Sequence, residues 1–212
     1  MLPAMPPFRF YLITDRRGAR HDARVWLPRL AAAGLRAAQV REKDLAPAEC
    51  FGYARELRDS LGERRTGFHF YLNDRADLAL ALGFVGVHLR EDSLPLARQA
   101  AALRASLRFA ISAHNLEGVL AAEAAGAHFA TFGPIYETPS KAAFGPPVGP
   151  RALEQAASRS RLPLFALGGV TPGRVAECMA AGARGVAAIS AVWNADDPLA
   201  ALAEFGEALG GL

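Results

Sequence analysis

Cysteine is scarce: Cys50 and Cys178 are the only two, far apart and without a CxxC spacing. That scarcity excludes a disulfide scaffold and a Cys-rich zinc motif, and fits two packing thiols in a reducing compartment. No GxGxxG turn occurs; the turn after the first strand candidate reads Asp15-Arg16-Arg17-Gly18. An open dinucleotide-binding sheet is therefore disfavoured. Apolar stretches such as Leu78 to Leu89 stop short of the ~18–20 residues that a membrane span needs. Met1 to Phe10 carries two adjacent prolines and no signal-peptide core, so the expectation is a soluble cytoplasmic protein. Neither sign of charge dominates, since 24 Lys and Arg face 21 Asp and Glu for a net charge of +3. So small and scattered an excess argues against a nucleic-acid partner and suits an anionic small substrate. No Pro/Gly/Ser linker divides residues 1–212, which predicts one domain.

What is present is an apolar share of 51%, enough for a large core. Short apolar runs alternate with longer segments of helical period. The strand candidates are Phe10–Thr14, Ala37–Arg41, His69–Leu72, Gly86–Leu89, Arg108–Ser112, Phe129–Gly133, Leu164–Leu167 and Val186–Ser190. Helical stretches between them include Ala48–Leu61, Asp77–Leu82, Leu116–Ala125, Arg151–Ser160 and Pro172–Ala181. Strands apolar at nearly every position belong to parallel sheets covered on both faces. Eight such units in a chain of this length predict an α/β fold, a (β/α)8 TIM barrel, over an open doubly wound sheet.

In such a barrel all C-terminal strand ends meet at one mouth, where sites are built. The strand candidates end in polar residues: Asp15; Arg41, Glu42 and Lys43; Asn73 and Asp74; Ser112 and His114. Later ones end in Gly133, Gly168-Gly169 and Ser190. Arg41 and Lys43 alternate on an extended segment, so both could point to one side and, beside Asn73, form an anion cradle. A charged, solvated strand end explains the same pair. Gly168-Gly169, before Pro172, joins Ser190 as a second anion cue, because backbone N–H groups after strands seven and eight commonly hold phosphate. A plain tight turn is the competing account. Asp74 reads as a magnesium ligand or as a helix cap. His88, inside an apolar strand, reads as a packed histidine. His114, past a strand end, suits a proton carrier titrating near neutrality. The long segment Pro134 to Pro150 bears Thr138 and Lys141, the latter either a flap closing on phosphate or a solvated lysine.

Taken together these residues resemble the thiamin phosphate synthase/TenI family. The resemblance runs from Tyr11-Leu12-Ile13-Thr14-Asp15 through Gln39-Val40-Arg41-Glu42-Lys43, Asn73-Asp74-Arg75 and Gly86-Val87-His88-Leu89. It continues through Ser112-Ala113-His114, Phe132-Gly133-Pro134-Ile135-Tyr136-Glu137-Thr138 with Lys141, Ala166-Leu167-Gly168-Gly169-Val170, and Gly185 to Ala191. It implies a role in thiamin biosynthesis and a small phosphorylated thiazole ligand, with a homo-oligomer possible.

Two activities occur in that family. The synthase couples a pyrimidine diphosphate to thiazole phosphate with Mg; the TenI-type tautomerase aromatises a thiazole carboxylate phosphate and needs no cofactor. The synthase reading implies Gln39, Arg41, Lys43, Asn73, Ser112 and Lys141 on the pyrimidine diphosphate. Thr138, Gly168, Gly169 and Ser190 would hold the thiazole phosphate, and Asp74 the metal. The family's second metal aspartate falls five positions after the strand-four histidine, where this chain has Ser93, with Asp92 beside it. The loop also continues as Gly145-Pro146-Pro147-Val148-Gly149, as in TenI-like sequences. These two departures favour the tautomerase, with His114 as the acid/base and Arg41 or Lys43 on the substrate carboxylate. The synthase is the alternative, and a non-catalytic thiazole-phosphate binder a third reading.

Overall fold

A computed structural model describes residues 5–138 and 146–212. Eight strands run in parallel: β1 Phe10–Ile13, β2 Ala37–Val40, β3 His69–Asn73, β4 Gly86–Leu89, β5 Arg108–Ala113, β6 Phe129–Phe132, β7 Leu164–Ala166 and β8 Gly185–Ala188. Each pairs with the next, and β1 pairs with β8 through Phe10 and Val186, so the sheet closes into a barrel. The helices are α1 Ala23–Ala32, α2 Pro47–Ser60, α3 Ala76–Ala81, α4 Ala101–Ser106, α5 Leu116–Ala124, α6 Gly149–Arg159, α7 Val175–Ala180, α8 Ser190–Trp193 and α9 Pro198–Leu209.

The period of two along each strand divides the core. Phe10 and Leu12 of β1, Phe70 and Leu72 of β3 and Val87 and Leu89 of β4 pack outward with the helices. Tyr11, Ile13, Tyr71, Ala110, Phe129, Phe165 and Ala187 fill the barrel interior. Phe8 closes the N-terminal end, within 6 Å of the Tyr11, Phe129 and Phe165 ring centroids. Both strand faces are thus dry, which is why these segments read as unbroken apolar runs.

Strand boundaries differ from the expected ones mainly at the mouth. β1, β2, β6 and β7 each stop one residue early, where Thr14, Arg41, Gly133 and Leu167 open the loops of the mouth. The last strand ends at Ala188, and Ser190 opens the short helix α8 rather than closing a strand. The expected helix Pro172–Ala181 is a 3-10 turn over Pro172–Arg174 followed by α7. Among the described residues no helix is long and apolar enough to cross a membrane.

Candidate active site

Toward the C-terminal strand ends the inward positions change from aromatic to polar. Gln39, His88 and Thr131 are all buried there. Gln39 Nε2 donates to Asn73 Oδ1 at 3.1 Å, joining β2 to β3. His88 Nδ1 lies 3.3 Å from the Tyr11 hydroxyl, and its Nε2 lies 3.1 Å from Ser112 Oγ and 3.4 Å from Thr131 Oγ1. Burial, and then the charge of Arg41, lower the His88 pKa to about 3, so the imidazole is neutral. This network forms the floor beneath the mouth. His88 is thus a packed, hydrogen-bonded histidine; Ser112 contacts its ring, and Asn73, its neighbour on β3, contacts Gln39.

Above the floor stand cations. Arg41, directly after β2, is half-buried, and desolvation lowers its pKa against the opposing charges of Asp15 and Glu42; Arg90 lowers it further. Lys43 does not continue the extended segment: it sits in the turn after β2 and is exposed. The extended segment expected to carry both Arg41 and Lys43 therefore ends before Lys43. Glu42 has a different task from its neighbours. Its carboxylate accepts from Thr14 Oγ1 at 2.6 Å and from the Arg16 N–H at 2.9 Å, fastening the loop after β1 to that after β2. Burial raises its pKa, and these two hydrogen bonds oppose the rise.

Asp74 does not cap α3, whose cap position is Arg75. It adopts a left-handed backbone, φ 62°, a conformation that costs a non-glycine residue about 1–3 kcal/mol. The Asp74 carboxylate meets the Arg90 guanidinium at 3.1 Å. Arg90 directly follows β4 and also pairs with Asp92 at 3.3 Å. Ser93 Oγ accepts the Arg90 N–H at 2.8 Å. Arg90 escaped the sequence reading, yet it obeys the rule that singled out Arg41: a charge one residue past a dry strand.

On the opposite side of the mouth, Gly168 and Gly169 have φ values of 95° and 63°. A Cβ on Gly169 would sit 2.5 Å from the Glu137 carbonyl oxygen and 2.8 Å from Tyr136 Cβ. The pair is thus required by its packing against the loop after β6. The carbonyl of Gly168 accepts from the Tyr136 N–H at 3.0 Å, and that of Gly169 from Arg174 Nη1 at 2.7 Å. Among the described residues no acceptor engages either glycine N–H. Ser190 is exposed after β8, the strand next to β7, and Thr138 is half-buried. Lys141, with Gly145 of the loop motif, lies outside the described residues. His114, half-buried beyond β5, bonds through Nδ1 to the Gly133 carbonyl. A carbonyl only accepts, so Nδ1 carries the hydrogen and Nε2 holds the lone pair of the neutral ring.

The closed eight-stranded barrel is the fold that the resemblance implies, and its mouth carries a polar floor, an arginine-bearing rim and a glycine turn. A family model described as thiamine monophosphate synthase matches residues 10–192. The chain belongs to that family. It is 43% identical over 192 residues to a Geobacter sulfurreducens protein named "Putative thiamine-phosphate synthase", across 90% of this chain and 89% of the relative. It is 36% identical to the thiamine-phosphate synthase of Chloroflexus aurantiacus, across 92% and 89%. A solved thiamine phosphate pyrophosphorylase from Pyrococcus furiosus shares the fold at TM-score 0.84 and 28% identity, over 95% of each chain. Membership places the protein in thiamin biosynthesis. The names of these synthase relatives correspond to the coupling activity, and none supports the tautomerase that Ser93 had favoured.

The coupling activity implies magnesium, and the residues at the implied place do not fit it. Asp74 is paired with a guanidinium, and a neutral serine hydroxyl at 93 is taken by a backbone N–H. Asp92, the neighbouring carboxylate, is also committed to Arg90. Among the described residues no cluster of three or more His, Cys, Asp or Glu side chains could hold a metal. A hard divalent cation prefers several free oxygen ligands, and here it would have to displace Arg90 from Asp74, the less exposed of its two carboxylate partners.

Proposed function

We propose that the protein is a thiamine-phosphate synthase, a transferase that couples a pyrimidine diphosphate to thiazole phosphate. The observation that carries this reading is the identity, over nine-tenths of the chain, to relatives bearing that name. In the reaction the bond between the pyrimidine methylene carbon and the diphosphate oxygen breaks, and the thiazole nitrogen lone pair forms the new C–N bond. Diphosphate leaves with the electron pair, so negative charge grows on it in the transition state. Fixed cations near that charge, in a partly desolvated mouth, are the largest catalytic aid available. Arg41 has this role, with Lys43 and Lys141 supplying further charge. Gln39, Asn73 and Ser112 hydrogen-bond the pyrimidine from the floor. The Gly168 and Gly169 N–H groups, Thr138 and Ser190 hold the thiazole phosphate across the mouth. The small phosphorylated thiazole is the substrate partner in either reading.

A second reading, the thiazole tautomerase, is favoured by one specific observation: the mouth carries Ser93 and the Arg90–Asp74 pair where the synthase pattern calls for metal carboxylates. In that reaction His114 Nε2 would take a proton from the substrate and return it to yield the aromatic ring. Offering both substrate sets, with and without magnesium, and following products by mass spectrometry separates the two. Formation of thiamin phosphate at rates typical of enzymes, ~1–10³ s⁻¹, is the expected result. Aromatised thiazole as the only product would replace this assignment by the second reading.

A further inference from the structure

We infer that Arg90 is a resident cation of the mouth which, together with Arg41, binds the diphosphate of the substrate without a metal ion. The inference rests on the synthase reading and deepens it. It starts from the misfit of the implied magnesium site.

Two features at one place are chemically matched. Position 93 offers a hydroxyl in place of a carboxylate, and a permanent positive charge, Arg90, stands three residues earlier. The hydroxyl is used to shape the turn. Ser93 Oγ accepts the Arg90 N–H at 2.8 Å, and the Ser93 N–H donates to the Arg90 carbonyl at 3.2 Å. The turn therefore fixes where the Arg90 side chain leaves the barrel rim. Asp74, held in its left-handed backbone, meets Nη2 at 3.1 Å, and Asp92 meets Nη1 at 3.3 Å.

These contacts do not exhaust the guanidinium. It has five N–H donors, and the two carboxylates engage one nitrogen each, at the ends of the fork. Arg90 Nε is buried and has no hydrogen-bond partner among the described residues. An unsatisfied buried donor on a charged group is costly; Nε is enclosed by protein, so the donors left for a ligand are the remaining N–H groups of the two outer nitrogens. The side chain is 37% exposed, so a ligand entering the mouth can reach it. Arg41 directly follows β2 and Arg90 directly follows β4, so both residues leave the same C-terminal end of the barrel, two strands apart, and the Arg90 charge weighs on Arg41. Two guanidiniums in that relation match an anion with two phosphoryl groups, since each planar fork pairs with phosphate oxygens through parallel N–H bonds. A covalently attached cation also cannot be chelated away.

The test is titration calorimetry of the whole protein with inorganic pyrophosphate, in EDTA and in excess magnesium, alongside the coupling assay under both conditions. Wild type is expected to bind pyrophosphate in EDTA with an affinity within about threefold of that in magnesium. Arg90→Gln should weaken binding in EDTA by about 10- to 100-fold, the range for hydrogen bonds to a charged group, with unchanged circular dichroism. Arg90→Lys, which keeps the charge and the fold but loses the fork, should fall between the two. The double variant Arg90→Gly with Ser93→Asp should bind only with magnesium. Wild-type binding that requires magnesium, or Arg90→Gln and Arg90→Lys binding like wild type, overturns the inference. Metal-independent, Arg90-dependent binding without any coupling supports the role of Arg90 and sinks the synthase reading instead.

Discussion

His88 Nε2 and Ser112 Oγ meet 3.1 Å apart in the barrel interior, one strand contributing each partner. Burial, and then the charge of Arg41, keep the imidazole in this contact neutral, so the floor of the mouth is a neutral hydrogen-bonded layer. It has a consequence for stability against pH. The folded His88 pKa lies near 3, below the ~6.5 of an unfolded histidine. Between those values the unfolded chain binds the proton that the folded one refuses. The contribution of His88 is thus fully present above about pH 6.5 and is lost as pH falls toward 3. Burial lowers the His69 and His128 pKa values in the same direction. His88→Gln should therefore flatten, without abolishing, the fall in urea-unfolding free energy between pH 7 and pH 4. The slope assignable to one proton is at most ~1.4 kcal/mol per pH unit. An identical slope in wild type and variant would mean that His88 is protonated in the folded protein.

The bond from His114 Nδ1 to the Gly133 carbonyl allows a variant that separates the two chemistries. The side-chain amide of asparagine can supply the same donor but has no titrating nitrogen. His114→Asn should leave the coupling rate within about tenfold, ~1.4 kcal/mol, because the synthase reaction is carried by charge at the leaving diphosphate. Any aromatisation of a thiazole carboxylate phosphate should fall by ~10²–10⁴-fold, as expected for loss of a general acid/base. Steady-state kinetics on both substrates reads the outcome. A coupling rate that falls by the larger factor with unchanged substrate affinity would make His114 a proton carrier in the synthase as well.

Gly169 is packed so tightly against the loop after β6 that a large substitution there would report only on folding. Even Gly169→Ala places a Cβ 2.5 Å from the Glu137 carbonyl oxygen on a backbone with φ 63°. Left-handed strain alone costs about 1–3 kcal/mol, and the clash adds to it. The expected outcome is a lower melting temperature together with weaker binding of thiazole phosphate, read by thermal denaturation and calorimetry on the same preparation. Gly173→Ala, with open space around its Cα and no left-handed backbone, should change neither. Undiminished thiazole-phosphate affinity in Gly169→Ala would remove the glycine turn from the site.

The barrel itself was legible in the order of residues. Runs such as Phe10–Ile13 and Leu164–Ala166 are apolar on both faces because a parallel strand under helices has no wet side, and this imprint survives in the sequence. So did the ring of polar strand ends, since Gln39, Asn73 and Ser112 break otherwise apolar runs near one end. The family follows from those residues in that order. Pairings across the mouth were not legible. That Asp74 faces Arg90 and not a helix end, that the extended segment after β2 stops before Lys43, and that Glu42 clamps the loop after β1 depend on loop geometry. Residues far apart in sequence meet there only once the barrel closes. Period and composition report how each strand faces its own neighbours; which charge neutralises which across the mouth is decided by closure, because electrostatic partners are chosen by distance in space.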